Sequence, residues 1–242
     1  MQPSPLLASV RPDLAFDPAV HDAFDEVFLA RVMEPTDACI EAMRRGVGMP
    51  DRAMRGWLAA ADDAVSDDRL RRLSVVPAAS GAAPGCLAAD EAVAYRFAGT
   101  AWIDVDRRRR ADIAARLNDD CGSEACIDRT DQVGRIGLVG PDAAKLLHAL
   151  GLPRGAVEKA GRMTRIDVLE EPVAVVRSDF AGPEGYDLVA GREMFNATLA
   201  VICSWAVRLE LNLLPCGLEA IERLAGRPIS PPSTPPAPPA SA

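Results

Sequence analysis

The sequence predicts an α+β fold in which mostly antiparallel sheets are packed with helices. Two adjacent pairs of apolar runs read as hairpins, Val93–Phe97 with Ala101–Val105 and Met163–Val168 with Pro172–Arg177. A buried helical stripe follows, with Phe195, Leu199, Ile202, Ala206 and Leu209 at spacings of four and three. Strands and helices come as helix–strand–strand–helix with antiparallel hairpins, which suggests helices packed on a mostly antiparallel sheet.

From the N-terminus, residues 1–70 read as a helical region. Asp17-Pro18 resembles an N-cap followed by proline at the first helical position. Phe24, Val27, Phe28, Arg31 and Val32 then follow a helical stripe, and Asp37 to Arg45 forms a second helix. Met49-Pro50-Asp51 breaks the pattern before Ala53 to Ala64, where Met54, Trp57, Leu58 and Ala61 share a helical face.

Residues 71–228 read as the α+β domain. Leu73 to Val76 is a short strand, Pro77 to Gly85 a surface loop, and Ala98-Gly99-Thr100 the turn of the first hairpin. Arg107 to Leu117 is a helix with Ile113 and Leu117 inward. The arginines at 107–110 read as a solvated face partly neutralised by Asp104, Asp106, Asp112, Asp119 and Asp120. Further on, Ser123 to Asp128 and Val133 to Val139 are strands, and Gly140-Pro141-Asp142 opens a helix ending near Leu150-Gly151. A glycine turn at 181–185 leads into the strand Tyr186 to Val189, a helix covers about 192–209, and Pro215 begins a last helix ended by Gly226. Residues 229–242 form an uncharged proline-rich tail read as disordered.

Composition narrows function by exclusion. The chain has 242 residues, 49% hydrophobic and 26% charged, enough for a substantial core. A net charge of -8 and few aromatic residues argue against nucleic acid as a partner. No apolar run is long enough to span a bilayer and no secretory signal opens the chain, so a cytoplasmic location is expected. Six cysteines without a C-x-x-C pair read as reduced thiols. Two histidines, His21 and His148, are too few for a histidine-based metal site or a Ser-His-Asp triad, and no metal is expected. Gly134, Gly137 and Gly140 lie in or beside a strand and lack the lysine of a phosphate loop.

Three landmarks then appear in order: Arg135-Ile136-Gly137-Leu138-Val139-Gly140-Pro141-Asp142-Ala143, Arg177-Ser178-Asp179-Phe180-Ala181-Gly182-Pro183-Glu184-Gly185-Tyr186-Asp187, and Pro215-Cys216-Gly217-Leu218-Glu219-Ala220-Ile221-Glu222-Arg223. Together they resemble the glycine-cleavage T-protein (aminomethyltransferase) family, best over residues 126–228. The resemblance implies a T-protein-like folate-binding domain, tetrahydrofolate or tetrahydromethanopterin as cofactor, and a role in pterin-linked one-carbon transfer. It points to Arg177, Phe180, Glu184, Tyr186 and Arg223 as ligand-binding candidates, while the catalytic residue stays unassigned. Two positions depart from the family: Pro183 stands where its pterin-facing acid belongs, and Ile221 where its arginine belongs. The alternative is a non-catalytic subunit with protein partners, like the gamma subunit of heterotetrameric sarcosine oxidase.

Overall fold

The computed structural model describes residues 1–10, 15, 17, 19–78, 92–121, 125–156, 159, 161–178 and 184–226. In chain order the first elements are β1 (Gln2–Pro3), α1 (Pro5–Val10), β2 (His21–Phe24), β3 (Val27–Ala30), α2 (Thr36–Arg45), β4 (Val47–Pro50), β5 (Arg55–Ala61), α3 (Asp67–Arg72) and β6 (Val75–Pro77). Then come β7 (Ala92–Phe97), β8 (Thr100–Asp106), a 3-10 turn at Arg107–Arg109, α4 (Arg110–Cys121), β9 (Cys126–Asp128) and a second 3-10 turn at Thr130–Gln132. The remainder is β10 (Val133–Val139), α5 (Ala143–Ala149), β11 (Met163–Val168), β12 (Glu171–Arg177), β13 (Gly185–Gly191), α6 (Phe195–Arg208), β14 (Leu213–Cys216) and α7 (Leu218–Ala225).

The described strands form three sheets, ordered β1-β3-β2, β11-β12-β13-β10-β4-β14 and β6-β7-β8-β5-β9. Most pairings are antiparallel, and β1 with β3, β14 with β4 and β6 with β7 are parallel. This is the expected α+β architecture of largely antiparallel sheets backed by helices. The six-stranded sheet buries one face under α5 and α6: Ile136, Leu138, Val173, Val175, Tyr186 and Leu188 pack with Leu146, Leu147, Phe195 and Ile202. The five-stranded sheet does the same with Leu58, Ile103 and Val105 against Leu70, Ile113 and Leu117 of α3 and α4. Successive strand side chains point to opposite faces, so the other faces of the two sheets are left to meet, and Trp57, Val93, Tyr95, Val176 and Val189 fill that middle layer. Each wholly buried leucine or isoleucine contributes about 1.5–3 kcal/mol in hydrophobic transfer.

The N-terminal region departs from the helical expectation. Phe24, Val27 and Phe28 belong to the β2–β3 hairpin, turned at Asp25 with φ 60, and Trp57 and Leu58 lie on opposite faces of β5. β3 and most of β5 are buried on two sides, and a continuous apolar run carries no period that separates helix from strand. Pro215 likewise sits in β14, and α7 starts only at Leu218. The arginines at 107–110 divide: Arg108 is exposed and pairs with Asp106, as expected, but Arg107 and Arg110 are not on a solvated face. Arg107 is 4% exposed and pairs with Asp131, while Arg110 pairs with Asp25 and Asp128. The surface loop expected at 77–85 falls largely, and the proline-rich tail wholly, outside the described residues.

The first landmark has a steric explanation. An added Cβ at Gly134 would meet the Phe195 ring at 2.2 Å, and one at Gly137 would meet Pro50 at 2.7 Å. Gly140 has φ +127, and a Cβ there would lie 2.3 Å from the Gly46 carbonyl oxygen. The glycines admit neighbours at close range. They are packing positions that tie β10 to β4 and α6.

Candidate functional site

Charged residues at alternate strand positions create an ionic cluster in the middle layer. Asp104 of β8 accepts from Arg55 Nε at 2.7 Å and from Arg135 Nη2 at 2.9 Å. Asp187 of β13 accepts from Arg52 Nη2 at 2.9 Å, with Arg135 Nη2 at 3.6 Å. All five residues are at most 3% exposed. Burial pushes the Asp104 carboxyl up, but Arg135 and then Arg55 outweigh it and hold it below the ordinary carboxylate range. Tyr95 in the same layer is raised, first by burial and then by Asp104 and Asp187. Asp104 is therefore held as an anion by guanidinium groups, an arrangement suited to joining two sheets and unsuited to proton transfer at neutral pH.

Asp51, just after β4, contrasts with them. It accepts from the Ser4 hydroxyl and from the Ala53 amide at 2.9 Å, but burial dominates and raises its carboxyl to about 6.

Beside the ionic cluster lies a cavity of about 420 Å³ between the two large sheets. Its wall includes Trp57 and Trp102, stacked 5.7 Å apart at 17°, together with Phe97, Met163, Arg129 and Arg165. The guanidinium of Arg135 lies 4.8 Å from the Trp57 ring centre and fixes that indole from behind. The volume is within the usual range for a small-molecule site, and a flat aromatic ligand suits such a wall. Arg129 donates to Gln132 at 2.6 Å and Arg165 to Asp167 at 2.9 Å, so the cations near the mouth are already partnered.

The sequence-derived candidates do not converge on this cavity. Arg177, at the end of β12, lies 4.7 Å over the ring of Tyr186, its cross-strand neighbour, and Tyr186 packs in the core beneath α5 and α6. Glu184 is exposed in the turn before β13, where its carbonyl accepts from the Gly140 amide at 3.2 Å. Arg223 on α7 pairs with Asp37 of α2 at 3.0 Å and with Glu219 at 3.8 Å. Ile221 is 0% exposed among Met43, Met54 and Leu218. Phe180 and Pro183 lie outside the described residues. The structure thus unites Arg177 with Tyr186 and leaves Arg223 on α7, facing α2.

Among the described residues no group of three or more His, Cys, Asp or Glu is placed to hold a metal ion, and no helix is long and apolar enough to cross a membrane. His148 Nδ1 is 2.7 Å from the Leu152 carbonyl, and His21 accepts from the Asp17 amide at 2.9 Å. Asp67 and Asp68 open α3 behind the Ser66 N-cap, as an acid-rich helix start should. The residues missed by sequence reasoning are Arg52, Arg55, Asp104, Arg135 and Asp187. Their signal was a lone charge inside an apolar strand, as in Val133-Gly134-Arg135-Ile136 and Tyr186-Asp187-Leu188.

Two packed sheets of this topology, with helices on their outer faces, define a T-protein-like fold. Solved structures agree. The chain superposes on aminomethyltransferase T of the glycine cleavage system from Bartonella henselae with TM-score 0.64 and 15% identity, over 92% of this chain and 61% of that one. It superposes on a chain of the heterotetrameric sarcosine oxidase from Corynebacterium sp. U-96, solved in complex with pyrrole 2-carboxylate, with TM-score 0.52 and 16% identity, over 71% of this chain and 91% of that one. The chain matches no protein-family profile and no curated protein by sequence. At these identities the shared property is the fold.

Proposed function

We propose that the chain serves as a non-catalytic T-protein-fold subunit of a cytoplasmic amine-oxidising assembly. The observation that carries this is Ile221. The position where the resembled family places its ligand-contacting arginine is a wholly buried core residue, and the arginine two places on is engaged with Asp37 and Glu219. The acids of the middle layer add support, because buried arginines pair with them and occupy their carboxylate oxygens. The heterotetrameric sarcosine oxidase neighbour supplies a precedent for a chain of this fold in a multi-subunit enzyme. Affinity purification of the tagged full chain from its native cells tests this reading. Stoichiometric recovery with an amine-oxidising flavoprotein is expected, and recovery as a monomer alone refutes it.

A second reading rests on a different observation, the 420 Å³ cavity with its stacked indoles. In that reading the chain is a divergent aminomethyltransferase-like protein that binds a reduced pterin, tetrahydrofolate or tetrahydromethanopterin, in pterin-linked one-carbon transfer. Calorimetric titration with each pterin separates the two. Saturable heat that is lost in Trp102→Ala supports the pterin reading, and its absence removes it.

A further inference from the structure

We infer that the chain holds a single halide-sized anion, with chloride the natural occupant, in a small cavity lined by four arginines. This site is separate from the 420 Å³ cavity and from the positions discussed for pterin. Among the described residues its lining is Pro5, Ala53, Arg55, Arg107, Thr130, Val133, Arg135 and Arg192, with no carboxylate among them. Arg55, Arg107 and Arg135 are 2%, 4% and 3% exposed.

The hydrogen bonding of these side chains is incomplete in one direction. Arg55 Nε is taken by Asp104, the Arg135 Nη atoms by Asp104 and the Gly56 carbonyl, and Arg107 Nη2 by Asp131. The Nε atoms of both Arg107 and Arg135 are buried and have no hydrogen-bond partner among the described residues. Thr130 Oγ1 already accepts from the Trp57 amide at 2.9 Å, so its own proton remains to be donated. No ion pair of the Arg192 side chain is formed among the described residues. Arg107, Arg135 and Thr130 therefore each offer the site a donor. Guanidinium groups have no acceptor, and a water molecule needs acceptors for its two protons as well as donors for its lone pairs. An anion takes donors only, and it relieves the repulsion among convergent cations.

Size narrows the choice further. The cavity has about 10 Å³ of space for the centre of a water-sized sphere, roughly the requirement for one water. That admits one monatomic ion, with slight outward movement of the half-buried Arg192, and excludes sulfate or phosphate. Pro5 of α1, Ala53 before β5, Thr130, and Val133 and Arg135 of β10 all border it, so a bound anion bridges the N-terminal region and both large sheets.

The test is thermal unfolding of the full chain in chloride-free buffer, titrated with sodium chloride or sodium gluconate at matched ionic strength. Chloride and bromide should raise Tm saturably while gluconate, too large to enter, does not. Arg192→Gln should weaken the chloride midpoint several-fold, and Arg223→Gln should leave it unchanged. Coincident curves in chloride and gluconate overturn the proposal, as does an Arg192→Gln protein with the parent response. Diffraction from crystals of the parent chain grown in bromide gives a readout that needs no variant. An anomalous peak between Arg107, Arg135 and Arg192 is expected, and a site holding water only overturns the assignment.

Discussion

Asp104→Asn is the most informative single change to the middle layer, because it keeps the shape of the side chain and removes its charge. In the parent, Asp104 faces Arg55 and Arg135 at 2.7 and 2.9 Å and Arg52 at 4.0 Å, all at most 2% exposed except Arg135 at 3%. Without it, Asp187 is the remaining carboxylate of the cluster, and it pairs with Arg52 and Arg135. Removing one partner from a buried ion pair costs about 3–5 kcal/mol, because the opposite charge stays buried and uncompensated. For a chain of this length each kcal/mol lowers Tm by about 2–4 °C, so a fall of roughly 6–20 °C is expected. Thermal and urea unfolding followed by far-UV circular dichroism measure the Tm and the free energy, with Asp112→Asn on the exposed face of α4 as a control expected within about 0.5 kcal/mol. The pH dependence adds a check. The folded-state pKa of Asp104 lies below its unfolded value, so its contribution is present above about pH 4 and fades as pH falls further. The deficit of Asp104→Asn should narrow in that acid range. A loss under about 1 kcal/mol at pH 7 would falsify the view that this cluster joins the sheets.

Asp51 has the opposite sign. Its folded-state value of about 6 lies above the ordinary carboxylate value, so its ionisation weakens the fold as pH rises from about 4 to 6, by about 3 kcal/mol in all. Stability measured from pH 4 to 7 should lose that component in Asp51→Asn, and an unchanged pH profile would argue against a buried, ionising Asp51. Gly140→Ala should cost about 1–3 kcal/mol in backbone strain alone, with the clash against the Gly46 carbonyl added, and a Tm within a degree of the parent would contradict the geometry. Ile221→Arg, which places the resembled family's residue in this core, should cost more than about 3 kcal/mol by burying an unpaired charge. Arg223→Ala should change stability by about 1 kcal/mol or less, since its partner Asp37 is exposed. If Ile221→Arg is tolerated, the position is open to ligand after all.

The second half of the fold was readable because its elements obey clean periods. Val133–Val139 and Met163–Val168 occur as strands at the expected bounds, and the hairpin turn at Ala98-Gly99 has φ 51 and 76, the left-handed pair that a two-residue turn requires. The N-terminal region was not readable in the same way. β3 and β4 are buried at every position, which erases the alternation that marks a strand with one wet face. The ionic cluster escaped for a related reason. A lone arginine in a strand reads as an exposed residue, and its partners Asp104 and Arg135 come from different sheets that only tertiary packing brings together. The resemblance located the fold, but it cannot say which way a side chain turns. Arg177 lies over Tyr186 and Arg223 toward α2, and only coordinates show that.

The placement of β4 has a consequence for how the chain is made. Gly48 pairs with Val139 on one side and with Leu214 on the other, so a strand made early waits for two made late. At ~5–20 residues per second the ribosome delivers β14 roughly ten to thirty seconds after β4. Until β10 is made, about halfway through that interval, β4 is an apolar strand with both edges open, and one edge stays open until β14 follows; such edges are the kind of surface on which nascent chains stick to one another. A fragment ending before residue 126 would keep those open edges permanently. Soluble production is therefore expected to depend on the chain reaching Cys216, and on a chaperone shielding β4 until then.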